Sequence, residues 1–254
     1  MDSLSPCDRH DRGVQQPAAS RSPRPAPARR WRWVAAAVVV LLVLGVVAAW
    51  FLLARPGLRD GEVHGVDVSR HQGAIDWPAV AADGISFAYI KSSEGSDLTD
   101  VRFAENWDAA GRAGVERGAY HFFTLCRPGA EQAEHFLRTV PPDAAALPPA
   151  VDLEIAGNCS QRPDPEAVRA ELDAFLAPVE AAWGRQVVLY VGEDWEGEYP
   201  VLDGSTRPAW LVSFVGRPDR PWTVWQHSWW GRVDGVEGRV DLDVARLDEL
   251  DRPA

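Results

Sequence analysis

Between Gly65 and Val191, five short apolar runs alternate with helical patterns, and this alternation limits the possible folds more than any other feature. The runs are Gly65–Ser69, Ile85–Ser92, Gly118–Phe123, Ala150–Ile155 and Val187–Val191. Each has the length and the flanking turn residues of a buried strand. Between them, one helix begins at Trp77-Pro78, a second covers Val101–Gly114 and a third lies near Gly129–Val140. A fourth opens at Pro165 and places Val168, Leu172, Phe175, Leu176 and Val179 at helical spacing. After Val191 the pattern shortens to strands around Ala209–Phe214, Trp222–Gln226 and Val240–Val244, with little helix between them. Repeated β-α units followed by a strand-rich end predict an α/β fold, a TIM-like barrel left incomplete by the loss or reduction of its last helices.

The Ala150–Ile155 run carries the chemistry. On a strand, Val151, Leu153 and Ile155 share one face and Asp152 and Glu154 the other, their Cα atoms about 6.5 Å apart. Two adjacent carboxylates on a buried-type strand resist desolvation and repel each other, so at least one holds its proton above the usual range. Glycosidases use such a pair to keep one acid protonated and one ionised at the same pH. The competing reading is an edge strand with a solvated acidic face. Asp67 and Asp241 also sit between apolar strand residues, where a buried acid needs a partner or a task.

The N-terminal part reads differently. From Trp33 to Ala54 there are 22 residues without a charge, enough to cross a bilayer as a helix. Arg29, Arg30 and Arg32 precede this run, so positive charge places residues 1–32, expected to be a disordered basic tail, in the cytoplasm. Residues 55–63 then form a linker and 64–254 an extracytoplasmic domain in the cell envelope. A cleaved signal peptide ending at Val47-Ala48-Ala49 is the alternative, and it would release the domain as a secreted protein. Eight Arg and three acids give residues 1–58 a charge of +5; the other residues, with 18 basic and 34 acidic groups, carry −16. So acidic a domain argues against nucleic acid as a partner. Cys126 and Cys159, the two cysteines after the apolar run, follow the Gly118 and Ala150 strands. If those strands are parallel neighbours, both cysteines reach the same end of the sheet, and a disulfide is expected in an oxidising compartment. Cys7 falls on the cytoplasmic side. No Cys or His cluster has metal-ligand spacing, and no cofactor is expected.

In order and spacing, a series of motifs resembles the glycoside hydrolase family 25 muramidases, the Chalaropsis-type lysozymes. These are Gly65-Val66-Asp67-Val68-Ser69, His71-Gln72-Gly73, Ile75-Asp76-Trp77, Phe87-Ala88-Tyr89-Ile90-Lys91, Glu94-Gly95, Gly118-Ala119-Tyr120-His121-Phe122, Pro149–Glu154, Trp225-Gln226 and Val240-Asp241-Leu242. The resemblance covers nearly all of residues 64–247. It implies a flattened, incomplete β/α barrel that cleaves the β-1,4 bond between N-acetylmuramic acid and N-acetylglucosamine in peptidoglycan glycan strands, with retention. The family's acidic positions map onto Asp67, Asp152, Glu154 and Asp241. Glu154 is then the general acid/base, Asp152 assists the substrate's acetamido group or the charged intermediate, and Asp67 and Asp241 stabilise and position. Tyr120, Tyr190, Trp210, Trp225 and Gln226 are candidate sugar contacts. Lys91 and Glu94 form either a cleft pair or a structural ion pair.

The chain departs from the family at His71, where Trp is frequent, and at Asp243, where Asn is common. His71 and His121 read as hydrogen-bonding scaffold. A chitinase-type enzyme fits less well, because Ala150 stands where such enzymes carry a further Asp. A membrane-tethered, catalytically inactive peptidoglycan-binding module is the reading from a different functional class. A bacterial source and a monomer are expected.

Overall fold

The computed structural model describes residues 27–53 and 55–250, with side chains for residues 30–46 and 55–250. Two compact units divide the chain between Ala49 and Trp50. The first holds most of a helix, α1 (Pro27–Leu53), which begins six residues before the uncharged run. Proline suits a first helical turn, and the Ala and Arg residues after it are good helix formers, so residues 27–32 are helical rather than irregular. Among the described residues no helix is long and apolar enough to cross a membrane. The part of α1 with described side chains, residues 30–46, is shorter than the ~20 residues a crossing needs. Cys7 and the rest of the expected tail lie outside the described residues.

The second unit is a closed barrel. Its strands are β1 (Val63–Val68), β2 (Phe87–Glu94), β3 (Leu98–Thr99), β4 (Glu116–Phe122), β5 (Ala150–Leu153), β6 (Val188–Val191), β7 (Ala209–Val212), β8 (Val224–Gly231) and β9 (Val240–Ala245). β1 pairs with both β2 and β9, which closes an eight-strand ring, and β3 hangs from β2 as an antiparallel extension. Neighbours from β1 to β8 run parallel; β9 is antiparallel to both β8 and β1. That reversal follows from chain length. Only residues 232–239 join β8 to β9, too few for the crossover of a dozen or more residues that a parallel return requires. Gly235 and Gly238, both at positive φ, help turn the chain there.

Helices α2 (Trp77–Ala82), α3 (Phe103–Arg112), α4 (Gly129–Thr139), α5 (Pro165–Trp183) and the short α6 (Glu193–Glu198) fill the connections up to β7, and among the described residues no α-helix follows. The expected barrel with reduced last helices is therefore present. Val151, Leu153, Leu189 and Val191 face outward onto the apolar stripe of α5, Val168, Leu172, Phe175, Leu176 and Val179. Alternation turns Phe87, Tyr89, Ala150, Val188, Tyr190 and Trp210 into the barrel interior. Two motif glycines make room for these rings. A Cβ on Gly65 would stand 2.2 Å from the Phe87 ring, and one on Gly118 would stand 2.3 Å from the Tyr89 ring.

The expected linker is packed onto the barrel. Arg55 pairs with Asp83, and Arg217 grips buried Glu62 at 2.6 and 2.8 Å. β4 and β5 are parallel neighbours, and Cys126 and Cys159, beyond their ends, form the disulfide with Cα atoms 6.3 Å apart.

Candidate active site

A cavity of about 340 Å³ opens at the carboxyl ends of the parallel strands. Asp67, Asp152, Glu154 and Asp241 all line it, so the four acids separated by up to 174 positions in sequence converge on one space. Barrel enzymes place their chemistry at this end because the loops there can vary without disturbing the core.

The acids form two groups. In the first, Asp67 on β1 lies directly opposite Asp241 on β9, and Asp243 follows two residues along β9. Like charges facing each other across a ladder repel, and here the ladder is buried. Burial, then the charges of Asp241 and Asp243, push Asp67 well above the ordinary carboxylate range. Asp243 is pushed well up by burial and by Asp241, and Asp241 rises to about 6 through burial, with the neighbouring Asp67 easing the rise. Carboxyls packed this closely in a buried space cannot all ionise, and Asp243 Oδ2 has no hydrogen-bond partner among the described residues. Neutral donors complete the group. Gln226 Nε2 donates to Asp67 Oδ2 at 2.8 Å, Tyr190 Oη donates to Gln226 Oε1 at 3.1 Å, and Trp210 Nε1 donates to Asp243 Oδ1 at 3.0 Å.

The second group is Asp152 and Glu154. Burial and the neighbouring Glu154 charge push Asp152 well up, while Lys91 partly offsets this. Asp152 Oδ1 has no hydrogen-bond partner among the described residues. Glu154, just past the end of β5, is raised by burial, and the nearby Tyr190 hydroxyl acts against that rise. A carboxyl whose pKa is raised holds its proton to higher pH, as a general acid needs. Lys91 on β2 supplies a nearby cation, bonded to Glu94 Oε2 at 2.8 Å and 4.7 Å above the Phe122 ring.

The loop after Glu154 is tied down by Asn158. Its Nδ2 donates to the carbonyls of Glu154 at 3.0 Å and Phe123 at 2.8 Å, and its Oδ1 accepts from Leu125 N at 2.9 Å. The Cys126–Cys159 bridge fastens the same two loops one residue on, so the backbone that presents Glu154 is held from two sides.

Tyr120, Tyr190, Gln226 and Lys91 line the cavity as expected, whereas Glu94 serves as the ion-pair partner of Lys91 and is not part of the lining. Trp225 requires correction. Adjacent strand residues point to opposite faces, so Gln226 facing inward turns Trp225 outward. It packs with Leu211, Trp222 and Val244, and its Nε1 donates to Ser213 O at 2.8 Å. Trp210 touches the cavity but is only 2% exposed, with Tyr89 and Tyr190 rings 4.9 and 5.0 Å from its own. It braces the floor and leaves no open ring face for a sugar. His121 is scaffold, bonded to Ser93 Oγ at 2.8 Å and stacked on Phe175; burial keeps it neutral, its pKa lowered to about 3. His71 lies on a 3₁₀ turn, Arg70–Gln72, at the mouth.

The chain matches the family model "Glycosyl hydrolases family 25" over residues 66–236. The chain belongs to that family. It is a glycoside hydrolase. Lysozyme M1 of Streptomyces globisporus is 36% identical over 198 residues, 70% of this chain and 66% of that protein. YegX of Escherichia coli (strain K12) is 36% identical over 72% of this chain and 69% of its own length. The solved structure of a family 25 glycosyl hydrolase from Bacillus anthracis superposes with a TM-score of 0.69 at 34% identity, covering 76% of this chain and 93% of that one.

Several residues of this family 25 site are not picked out by sequence reasoning. Val68, Ser69, Gln72 and Phe122 complete the lining, and Trp229 stands at the mouth. Phe122 and Gln72 fall inside the resembling motifs but carry no obvious chemistry. Asn158 acts through loop backbone contacts that no spacing rule reveals.

Proposed function

We propose that this glycoside hydrolase cleaves the β-1,4 bond between N-acetylmuramic acid and N-acetylglucosamine in peptidoglycan, with retention. The observation that carries the reading is the pairing of Asp152 on β5 with Glu154 just past its end, open to the same cavity and both raised in pKa. The lysozyme name of the Streptomyces globisporus relative supports the choice of polymer.

In this mechanism, protonated Glu154 gives its proton to the glycosidic oxygen as the C1–O bond breaks. The substrate's acetamido carbonyl oxygen bonds to C1 in its place, while Asp152 accepts a hydrogen bond from the acetamido N–H and offsets the positive charge that develops. Ionised Glu154 then takes a proton from water, whose oxygen attacks C1 from the face the leaving group vacated as the bond from C1 to the acetamido oxygen breaks and the acetamido group is restored. Two inversions give net retention. Asp67, Asp241 and Gln226 position the sugar. The uncharged run 33–54 anchors the chain in the membrane and presents the barrel to the wall from the extracytoplasmic side, in keeping with the disulfide.

The test combines wall turbidity with early-time proton NMR of the released anomers. Rapid clearing with the β-anomer formed first is expected. The α-anomer first would exclude retention, and no clearing by folded protein would exclude the hydrolase reading.

A further inference from the structure

The molecule's most exposed large aromatic residue outside α1 is Trp229, 57% accessible, at the mouth of the catalytic cavity. Its ring stacks on that of Phe214, itself 42% exposed, with centroids 4.6 Å apart and planes 23° from parallel. Phe214 belongs to the helix-free segment between β7 and β8, so two separate pieces of chain build one aromatic surface. Neither ring is committed to the core: both are absent from the barrel's hydrophobic clusters.

The strand does not put Trp229 there by simple alternation. In the β8–β9 ladder, Gln226 pairs with Asp243, Ser228 with Leu242 and Gly231 with Val240. β8 therefore gains one residue on β9 in each interval, and the two irregularities turn Trp229 to the cavity mouth. Bulges beside active sites commonly re-aim a side chain in this way. Exposed aromatic rings held rigidly at the edge of a polar cleft mark a binding surface.

We propose that the Trp229–Phe214 stack is a carbohydrate subsite, taking the pyranose ring of the glycan strand next to those held in the cavity. The proposal rests on the wall-hydrolase reading. A polymer cut within its length has to leave the cavity through the mouth, and Trp229 is continuous with the lining there. A flat indole offers the apolar C–H face of a sugar an area that no hydrogen-bonding group competes for. The strongly acidic charge of residues 59–254 argues against an anionic lipid surface as the occupant of the same patch.

The experiment uses the full chain as Glu154→Gln, which binds without cutting, beside the double variant that adds Trp229→Ala. The probes are peptide-stripped wall glycans of alternating N-acetylglucosamine and N-acetylmuramic acid, four, six and eight rings long, titrated by calorimetry. Affinity in the single variant is expected to rise by about tenfold at the length that first reaches the stack, and adding Trp229→Ala should abolish that step while leaving the shortest oligomer's affinity unchanged. Trp229→Phe, which keeps a ring, should restore most of the step. The same length dependence with and without Trp229 would overturn the subsite and leave the hydrolase reading standing. Failure of every oligomer to bind either folded protein would overturn both.

Discussion

Asp243→Asn should make the barrel increasingly more stable than the wild type as pH rises, and the direction of the effect follows from the geometry. Asp243 is fully buried on β9, facing the Trp210 indole from β7, Asp67 on β1 and Asp241 on its own strand. Its folded pKa is well above the ordinary value, because burial and the Asp241 charge disfavour ionisation. A group raised on folding contributes stability that is complete below its unfolded pKa and is lost as pH climbs through the folded one. Above pH ~4, the wild-type chain must therefore keep a proton on folding that the unfolded chain releases, which removes ~1.4 kcal/mol of stability per pH unit. Asparagine has the same shape. Its Oδ1 accepts the Trp210 N–H and its Nδ2 donates towards Asp67, with no proton to hold. The variant should therefore gain on the wild type as pH rises from 4.5, by up to ~1.4 kcal/mol per pH unit for as long as Asp243 keeps its proton in the fold. Guanidinium unfolding followed by tryptophan fluorescence at pH 4.5, 5.5 and 6.5 measures this difference. Parallel stability–pH curves for the two proteins would refute the claim that Asp243 is neutral in the fold.

Four further outcomes follow from the site and its support. Glu154→Gln should lower turnover of wall substrate by about 10³-fold or more with the fold intact, as read by circular dichroism and initial rates. Tyr190→Phe removes the hydroxyl that holds the Glu154 pKa down, so the high-pH limb of the rate profile should move upward even as the rate falls. Cys126→Ser with Cys159→Ser opens a loop of 33 residues and should cost ~3–4 kcal/mol in denaturant titration, with activity per folded molecule reduced because the Glu154 loop loses a tie. Gly118→Ala drives a methyl group into the Tyr89 ring and should destabilise the barrel by ~1–3 kcal/mol or more, visible as a lowered Tm.

The barrel was legible because its signals are local and repeated: apolar runs of strand length, helices opened by proline, and a strand-rich end with little helix. The Asp152/Glu154 pair was legible for the same reason, since strand parity alone puts both on one face. Parity also shows where the reading of the sequence failed. Trp225 and Gln226 are neighbours on a strand and cannot both face the cavity, so naming both as sugar contacts contradicted the rule that had located the acids. Trp229 is the reverse case. Simple alternation misplaces it, and only the ladder irregularities after Gln226 bring it to the mouth. The closeness of Asp67, Asp241 and Asp243 depends on β9 closing the ring against β1, a long-range pairing that no local pattern announces. The extent of α1 was missed because arginine and proline there read as tail composition, although both suit a first helical turn.

The most direct test of the central claim is the mass of the soluble fragments released from purified peptidoglycan by the full chain and by Glu154→Gln. Fragments ending in reducing N-acetylmuramic acid, from the wild-type chain alone, are the expected result. Fragments ending in reducing N-acetylglucosamine, or equal release by both proteins, would contradict the assignment of the bond cleaved or of Glu154 as its acid.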